Sequence, residues 1–243
     1  LGALVLMLPI ATVQRVWTPF HEALFTSTSA VCVTGLVVQD TGSYWSVFGQ
    51  SVILLLIQIG GLGVITVGAA FALLSGRKIS LKQRSTMQEA TAAPQMGGIV
   101  RLTGFILRIT ALFELAGAAL LLPTFCADYG LRGIWYALFH SISAFCNAGF
   151  DLFGRFGPYS SLVPYVNNYY VQAVIMFLIM AGGLGFMVWV ELGEFRKKRR
   201  LSLHAKVVLT FSAILWVGGA ALICLMEWSN PATMGGLSVP GKV

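Results

Sequence analysis

Charged residues are scarce in this sequence. Only 10% of its 243 residues are Asp, Glu, Lys or Arg, whereas a soluble domain carries about 25%. Hydrophobic residues make up 57%, and the mean hydropathy is +0.81. A soluble domain with a charged surface is therefore excluded, and the composition predicts a membrane protein.

Reactive side chains are also few, and their spacing excludes the common catalytic and metal sites. The three histidines have no carboxylate or thiol partner at a useful spacing: His21, His140 and His204. The four cysteines form no CxxC pair: Cys32, Cys126, Cys146 and Cys224. We therefore predict no zinc site, no disulfide framework, no catalytic residues and no bound organic cofactor.

Positive charge is in excess but confined to short stretches. The net charge is +7, and most of the 16 Lys and Arg lie in two blocks, at 77–101 and 196–206. Each block follows a long apolar segment, which is typical of cytoplasmic loops and of contact with anionic lipid. No nucleic-acid partner is expected.

Long apolar runs are what the sequence does have. Each must supply about 20 helical residues to cross a membrane. Four runs meet that length: 47–75, 99–125, 169–191 and 205–227. Residues 1–13 are expected to be the tail of a fifth. Two further segments, 18–30 and 131–144, read as helices too short to span.

The two short segments belong to an internal repeat. The stretch LFTSTSAVCVTGL ends one residue after Gly35, and LFHSISAFCNAGF ends one residue after Gly149. The sequence GGLG then occurs at 60–63 and again at 182–185. Because Ser, Cys and Gly are among the identical positions, shared apolar composition does not explain the match.

Each repeat unit is predicted as a spanning helix, a short helix, a loop, a second spanning helix and a basic linker. One unit crosses the membrane twice, so successive units are parallel, and cytoplasmic linkers place both loops outside. We predict an all-α membrane protein with these boundaries: first unit 1–76, linker 77–98, second unit 99–193, linker 194–204, first helix of a third unit 205–228, and extracellular loop 229–243.

The loops after the short helices suggest how such a protein works. Irregular backbone at membrane depth is tolerated only inside protein or beside a watery cavity. A helix that stops half way points its negative end into the bilayer centre, which favours a cation. VCVTG and FCNAG offer backbone carbonyls, which replace the hydration shell of K⁺, and Gly35 and Gly149 free the backbone to turn them inward.

The same residues carry a family resemblance. LFTSTSAVCVTGL, DTGSYWSVFGQ, QIGGLG and LFHSISAFCNAGF closely resemble the Trk/Ktr/HKT superfamily of K⁺ transport proteins, and in particular the bacterial membrane subunit. The resemblance extends over essentially the whole chain. It implies four covalently linked helix–pore-loop–helix units around one pore, as in K⁺ channels, with one filter glycine in each unit.

The resemblance also implies which residues bind the ion. Backbone carbonyls of a selectivity filter would come from two strands, Val33-Thr34-Gly35 and Asn147-Ala148-Gly149, with Cys146 at the start of the second. The transported ion would be K⁺. Glycine at the first filter position favours K⁺, because serine there accompanies Na⁺ transport in the plant branch.

Partners and location follow from the resemblance as well. It implies multi-pass insertion in the bacterial plasma (inner) membrane, a homodimer of full-length subunits, and a cytosolic ring of nucleotide-binding regulatory subunits. The sequence holds two units and the first helix of a third, so we expect a fragment of a longer protein. The gate elements of the third and fourth units are not expected here.

Several polar residues permit two interpretations. Asp40 and Asp151 follow the loops on the outer side, where they either raise the cation concentration at a pore mouth or act as solvated loop acids or helix caps. Structural roles are predicted for Arg108 and Glu114, although charges in spanning runs are functional candidates. His140 is predicted to be packed and hydrogen-bonded, and GGLG to serve close helix packing.

The sequence is compatible with alternative functions. One is a Na⁺ or Na⁺/K⁺ coupled cation transporter of the same fold. Another is a secondary transporter with a half-helix substrate site, although such proteins have inverted repeats and this repeat is parallel. An aquaporin-like pore is not favoured, since the paired Asn-Pro-Ala segments are lacking.

Overall fold

The computed structural model describes residues 1–63, 99–155, 157–231 and 233–236. Its regular elements in those ranges are helices, with one isolated antiparallel bridge between Thr12 and Trp45. The α-helices are α1 Gly2–Leu6, α2 Phe20–Cys32, α3 Val47–Leu62, α4 Ile99–Tyr129, α5 Arg132–Phe145, α6 Tyr169–Gly183, α7 Phe186–Lys198 and α8 Leu203–Glu227. Short 3₁₀ helices lie at Pro9–Ala11, Phe153–Arg155 and Val163–Tyr165. The all-α prediction is confirmed for the described chain.

The chain divides into two compact units. The first comprises Leu1–Pro164 and Ala173–Gly183, and the second comprises Tyr165–Gln172 and Leu184–Val243. Both short helices and both of the loops that follow them lie in the first unit. In the second unit, Ser202 caps α8 by accepting a hydrogen bond from the Ala205 amide at 3.2 Å.

Among the described residues, two helices are long and apolar enough to cross a membrane. They are Thr103–Tyr129, within α4, and Leu203–Glu227. A third span is possible if Tyr169–Gly183 and Phe186–Phe195 form one broken crossing. The predicted run 47–75 begins with the shorter apolar helix Val47–Leu62, and residues 64–75 of that run lie outside the described residues, as does the linker 77–98. The other predicted linker begins inside α7.

The two short helices occur close to where the sequence predicted them. Pro19 stands immediately before α2, at the N-cap, where a backbone N–H would have no partner within the helix. Its inner face packs into the core of the first unit together with α1, α3 and α5. The core is built from large apolar side chains with small residues at the closest helix contacts: Leu6, Ala23, Trp45, Ile53, Ile57, Phe139, Phe150 and Leu152.

The GGLG sequences bring helices into close contact, as predicted. A Cβ on Gly60 would overlap the carbonyl oxygen of Val31, near the end of α2. At the matching place in the second repeat, a Cβ on Gly182 would overlap the carbonyl oxygen of Phe145, at the end of α5. A glycine is therefore required at both positions for the longer helix to pack on the end of the short one.

Candidate functional site

Two loops with matching backbone conformation follow the short helices. We call residues 33–38 the first loop and residues 146–152 the second loop. Val33 and Asn147 both have φ of 56°, while Gly35 and Gly149 have φ of 72° and 74°. The sequence repeat therefore corresponds to a repeat in backbone geometry, including two glycines in a region of φ that other residues rarely occupy.

The hydrogen bonds that end the two short helices also match. The Thr34 amide donates to the Ser29 carbonyl at 3.0 Å, and the Ala148 amide donates to the Ser143 carbonyl at 2.8 Å. In each case the amide of a residue just beyond the helix donates to a carbonyl in the last turn of that helix. The residue before the donor, Val33 or Asn147, has positive φ, which is a common way for a helix to end. The negative end of each helix dipole consequently adjoins its loop.

The two loops touch at their glycines. A Cβ placed on Gly35 would lie 2.6 Å from the Ala148 carbonyl oxygen and 3.2 Å from the Gly149 Cα. A Cβ on Gly149 would meet only the Gly35 Cα, at 3.5 Å. The fold thus brings Val33-Thr34-Gly35 close to Asn147-Ala148-Gly149. The space at Gly35 is too small for any side chain.

Carbonyl groups on both loops are left without hydrogen-bond donors. In the part of the chain that the structure describes, no donor bonds to the carbonyl oxygens of six loop residues: Val33, Thr34, Gly35, Asn147, Ala148 and Gly149. Only Ala148 among these residues is buried, whereas Thr34, Asn147 and Gly149 are exposed, so the unpaired carbonyls are open to solvent or to a ligand. Six free acceptors on two touching loops form a surface suited to a cation.

Four serines support the loops and short helices. The Ser29 and Thr34 hydroxyls are 2.8 Å apart, and the matching Ser143 hydroxyl donates to the Phe150 carbonyl at 2.6 Å. The Ser27 hydroxyl donates to a carbonyl of its own helix, at Leu24. The Ser141 hydroxyl donates instead to the backbone of α4.

His140 is a buried support of the second loop. Its Nδ1 lies 2.7 Å from the Tyr136 carbonyl, and its Nε2 accepts a hydrogen bond from the Leu152 amide at 3.1 Å. This arrangement places the ring proton on Nδ1. The ring also stacks on Phe153, with centroids 4.2 Å apart. The prediction of a packed, hydrogen-bonded histidine is confirmed.

The two matching cysteines have different surroundings. Cys146 is partly buried, and a Cβ on Gly61 would lie 2.5 Å from its sulfur. Cys32 is exposed. All four cysteines are free thiols, and no cluster of metal-ligating side chains occurs among the described residues. Cys146 therefore packs against α3 beside the second loop, whereas Cys32 has an open face.

Asp40 joins the exit of the first loop to the second repeat. Its side chain is 6% exposed, and its carboxylate accepts hydrogen bonds from the amide and hydroxyl of Ser43 at 2.8 and 2.6 Å. It also accepts the Tyr159 amide at 3.0 Å, while the Tyr159 hydroxyl donates to Val38. Its carboxylate therefore fixes loop geometry, and a role in attracting cations stays a prediction.

Asp151 is partly buried at the end of the second loop. Its carboxylate accepts the Phe153 amide at 2.9 Å. Burial raises the pKa of this carboxyl, the hydrogen bond from Phe153 lowers it, and the charge of Asp40 raises it further, so the pKa is higher than usual. The residue lines a cavity of about 250 Å³ together with Asn147 and Gly149.

Contacts between helices add residues that the sequence pattern did not single out. Gln58 in α3 donates to Glu114 in α4 at 2.8 Å, and Trp135 in α5 donates to Gln50 in α3 at 2.8 Å. Gln50 and Gln58 are polar residues in the same mostly apolar helix, and a polar residue in an apolar run was the sequence signal available for them. Arg108 is exposed, and among the described residues it forms no ion pair with Glu114.

These observations define a helical membrane protein with two repeated short-helix-and-loop elements. The family model described as TrkH, cation transport protein, matches residues 8–228. The chain therefore belongs to the TrkH family of cation transport proteins, which are ion transporters and not enzymes.

Named relatives agree with this membership. The chain is 39% identical over 93% of its length to the potassium/sodium uptake protein NtpJ of Enterococcus hirae, and 40% identical over 100% to the Ktr system potassium uptake protein B of Bacillus subtilis. It is 36% identical over 99% to the Ktr system protein B of Vibrio alginolyticus. The alignments cover 49%, 53% and 52% of those proteins, so the chain spans about half their length.

Proposed function

We propose that this chain supplies two of the four walls of a selectivity filter in a K⁺ uptake subunit. The observation that carries the proposal is the set of six unbonded carbonyls on two loops that touch at Gly35 and Gly149. Because the relatives are about twice as long, two further helix–pore-loop–helix units would complete the ring.

The mechanism involves no covalent chemistry. A K⁺ ion entering from outside exchanges its water for the carbonyls of Val33-Thr34-Gly35 and Asn147-Ala148-Gly149, and moves down its electrochemical gradient. The negative ends of α2 and α5 adjoin the loops and stabilise the positive ion. The side-chain supports behind each loop hold the carbonyls at a spacing that favours K⁺ over the smaller Na⁺.

Selectivity for K⁺ is supported by glycine at both filter positions and by the names of the Ktr relatives. The name of the Enterococcus hirae relative favours a second candidate, uptake of both K⁺ and Na⁺ by the same fold. Isotope uptake into proteoliposomes separates the two. Na⁺ flux comparable to Rb⁺ flux, or Rb⁺ flux that requires Na⁺, would favour the second candidate.

Location and partners extend the proposal. We place the full-length subunit in the bacterial inner membrane as a multi-pass homodimer, with the basic linkers facing the cytosol. The name "Ktr system" indicates that those relatives are components of a larger system. The partner we propose for this chain is a cytosolic nucleotide-binding ring that docks on the linkers.

The central test is Gly35→Ser in the full-length protein. The residue has φ of 72°, and a Cβ would lie 2.6 Å from the Ala148 carbonyl oxygen, so the substitution displaces a proposed ligand. We expect the ratio of Rb⁺ to Na⁺ uptake to fall about tenfold, which corresponds to about 1.4 kcal/mol. Gly149→Ser, whose nearest contact is at 3.5 Å, is expected to have a smaller effect.

Gly130→Ser is the matched control for this test. Gly130 also has positive φ, at 60°, but a Cβ there would meet no atom within 4 Å, and the residue is outside both loops. It therefore reports the cost of backbone strain alone. An unchanged ratio in Gly35→Ser, at protein levels equal to those of the control, would remove Gly35 from the filter.

A further inference from the structure

A small polar cluster lies behind the second loop. It consists of Gln58 in α3, Glu114 in α4 and Cys146 at the start of the second loop. The Gln58 Nε2 donates to Glu114 Oε1 at 2.8 Å, and the Cys146 thiol donates to the same oxygen at 3.9 Å. One carboxylate oxygen therefore connects a helix of the first repeat to the loop of the second.

The backbone of Glu114 is part of the same support. Its carbonyl oxygen accepts the Ser141 hydroxyl of α5 at 2.7 Å. The approach depends on Gly117, where a Cβ would overlap the Ser141 hydroxyl. Glu114 consequently holds α5 through its backbone and the loop that follows α5 through its side chain.

The carboxyl group of Glu114 is energetically unfavourable at this position. It lies in the middle of an apolar spanning helix and is only 8% exposed. A carboxyl group at membrane depth is unfavourable unless protein groups compensate it, and such groups are usually functional. The two donors that face it come from elements bordering the second loop, which points to a role in setting that loop.

We propose that Glu114 is a positioning residue for the proposed filter, and this inference rests on the function proposed above. Through Gln58 and Cys146 it fixes where the second loop begins, and so where the carbonyls of Asn147, Ala148 and Gly149 point. It does not touch the ion. Its loss lets those carbonyls move, which lowers discrimination between K⁺ and Na⁺.

The test compares Rb⁺ and Na⁺ uptake by the full-length protein in proteoliposomes. Glu114→Ala leaves the Gln58 amide and the Cys146 thiol unpaired, and we expect the uptake ratio to fall about tenfold. In Glu114→Gln an amide oxygen still accepts both hydrogen bonds, and the ratio is expected to stay within about threefold of the original. This rescue by a residue of the same shape distinguishes positioning from a need for charge.

Leu121→Ala is the structural control. Leu121 is fully buried in the same helix and is not part of the cluster. The Leu121→Ala substitution is expected to lower the stability and the yield of the protein. It is expected to leave the ratio of Rb⁺ to Na⁺ uptake per folded protein unchanged. If Glu114→Ala behaves like Leu121→Ala, the proposal is overturned. If Glu114→Ala does not fold, Gln58→Met, which removes one donor at similar volume, must lower the ratio, and an unchanged ratio there overturns it as well.

Failure of this inference is distinguishable from failure of the proposed function. Gly35→Ser, measured alongside, alters a proposed ligand strand directly. A lower ratio of Rb⁺ to Na⁺ uptake in Gly35→Ser with a normal ratio in Glu114→Ala rejects the positioning role alone. A normal ratio in both variants rejects the filter assignment and, with it, this inference.

Discussion

The first and second loops have matching backbone angles but are held by different side chains. In the first loop, a hydroxyl pair between Ser29 and Thr34 is the main local support. In the second, Ser143 bonds to the Phe150 carbonyl, and His140 accepts the Leu152 amide. The position that matches His140 is Thr26, whose buried hydroxyl has no partner in the described chain.

The two loops share their backbone dihedral angles but not the side-chain contacts that support them. The φ values of the two loops are preserved, as the proposed filter requires if both loops turn their carbonyls toward one ion. The supports vary: the first loop has a hydroxyl pair, whereas the second has a hydroxyl bonded to a carbonyl and an imidazole bonded to an amide. The second loop also has α3 of the first repeat beside it, through Gly61, whereas Cys32 at the matching place is exposed.

The largest expected effect tests whether the two repeats pack alike. Gly60→Val and Gly182→Val both place side-chain atoms on a carbonyl oxygen at the end of a short helix. We expect each to cost more than about 3 kcal/mol, at the upper end of overpacking effects, and to abolish uptake. Gly104→Val is the control, because a Cβ there would meet no atom within 4 Å. Folded, active protein from only one of the two variants would show that the repeats pack differently.

A smaller effect tests the different supports of the loops. His140→Ala leaves the Leu152 amide without its acceptor, which we expect to cost about 1–3 kcal/mol. Thr26→Val replaces an unpaired buried hydroxyl with a methyl group of the same shape, so it is expected to be neutral or slightly stabilising. Thermal unfolding in detergent measures both. Equal destabilisation by the two substitutions would contradict the contrast between the loops.

The smallest expected effect compares the acids beyond each loop. Both carboxylate oxygens of Asp40 accept hydrogen bonds, so Asp40→Asn turns an amide NH₂ toward a donor, and we expect a loss of about 1 kcal/mol. Asp151→Asn keeps an oxygen for the Phe153 amide and removes a carboxylate that burial disfavours. Modest stabilisation is therefore expected near neutral pH.

The pH dependence of the Asp151 effect has a definite sign. Since the folded protein raises the pKa of this carboxyl, its contribution to stability is fully present below the ordinary value of about 3.9 and is lost as the pH rises through the raised pKa. The gain from Asp151→Asn should therefore appear at neutral pH and vanish in acid. Unfolding temperatures at both pH values check this, and a gain that is independent of pH would contradict it.

Much of the helix pattern could be predicted from the sequence. Apolar run length located α4 and α8 to within a few residues, and the repeated Ser, Cys and Gly positions located both loops. The break between Gly183 and Phe186 was missed, because GGLG sits inside an apolar run that reads as continuous. Gln58 was missed for a related reason, since its partner lies far away in the sequence.

The sequence by itself determined the class of protein, the repeat and the two glycines, because composition and periodicity record burial in lipid and backbone freedom locally. Only the tertiary structure decided that Gly35 meets Ala148, that Asp40 is committed to the Tyr159 amide, and that Glu114 faces Cys146. Those contacts join residues that are distant in the sequence. Their geometry depends on how helices pack, and no local pattern of residues contains that information.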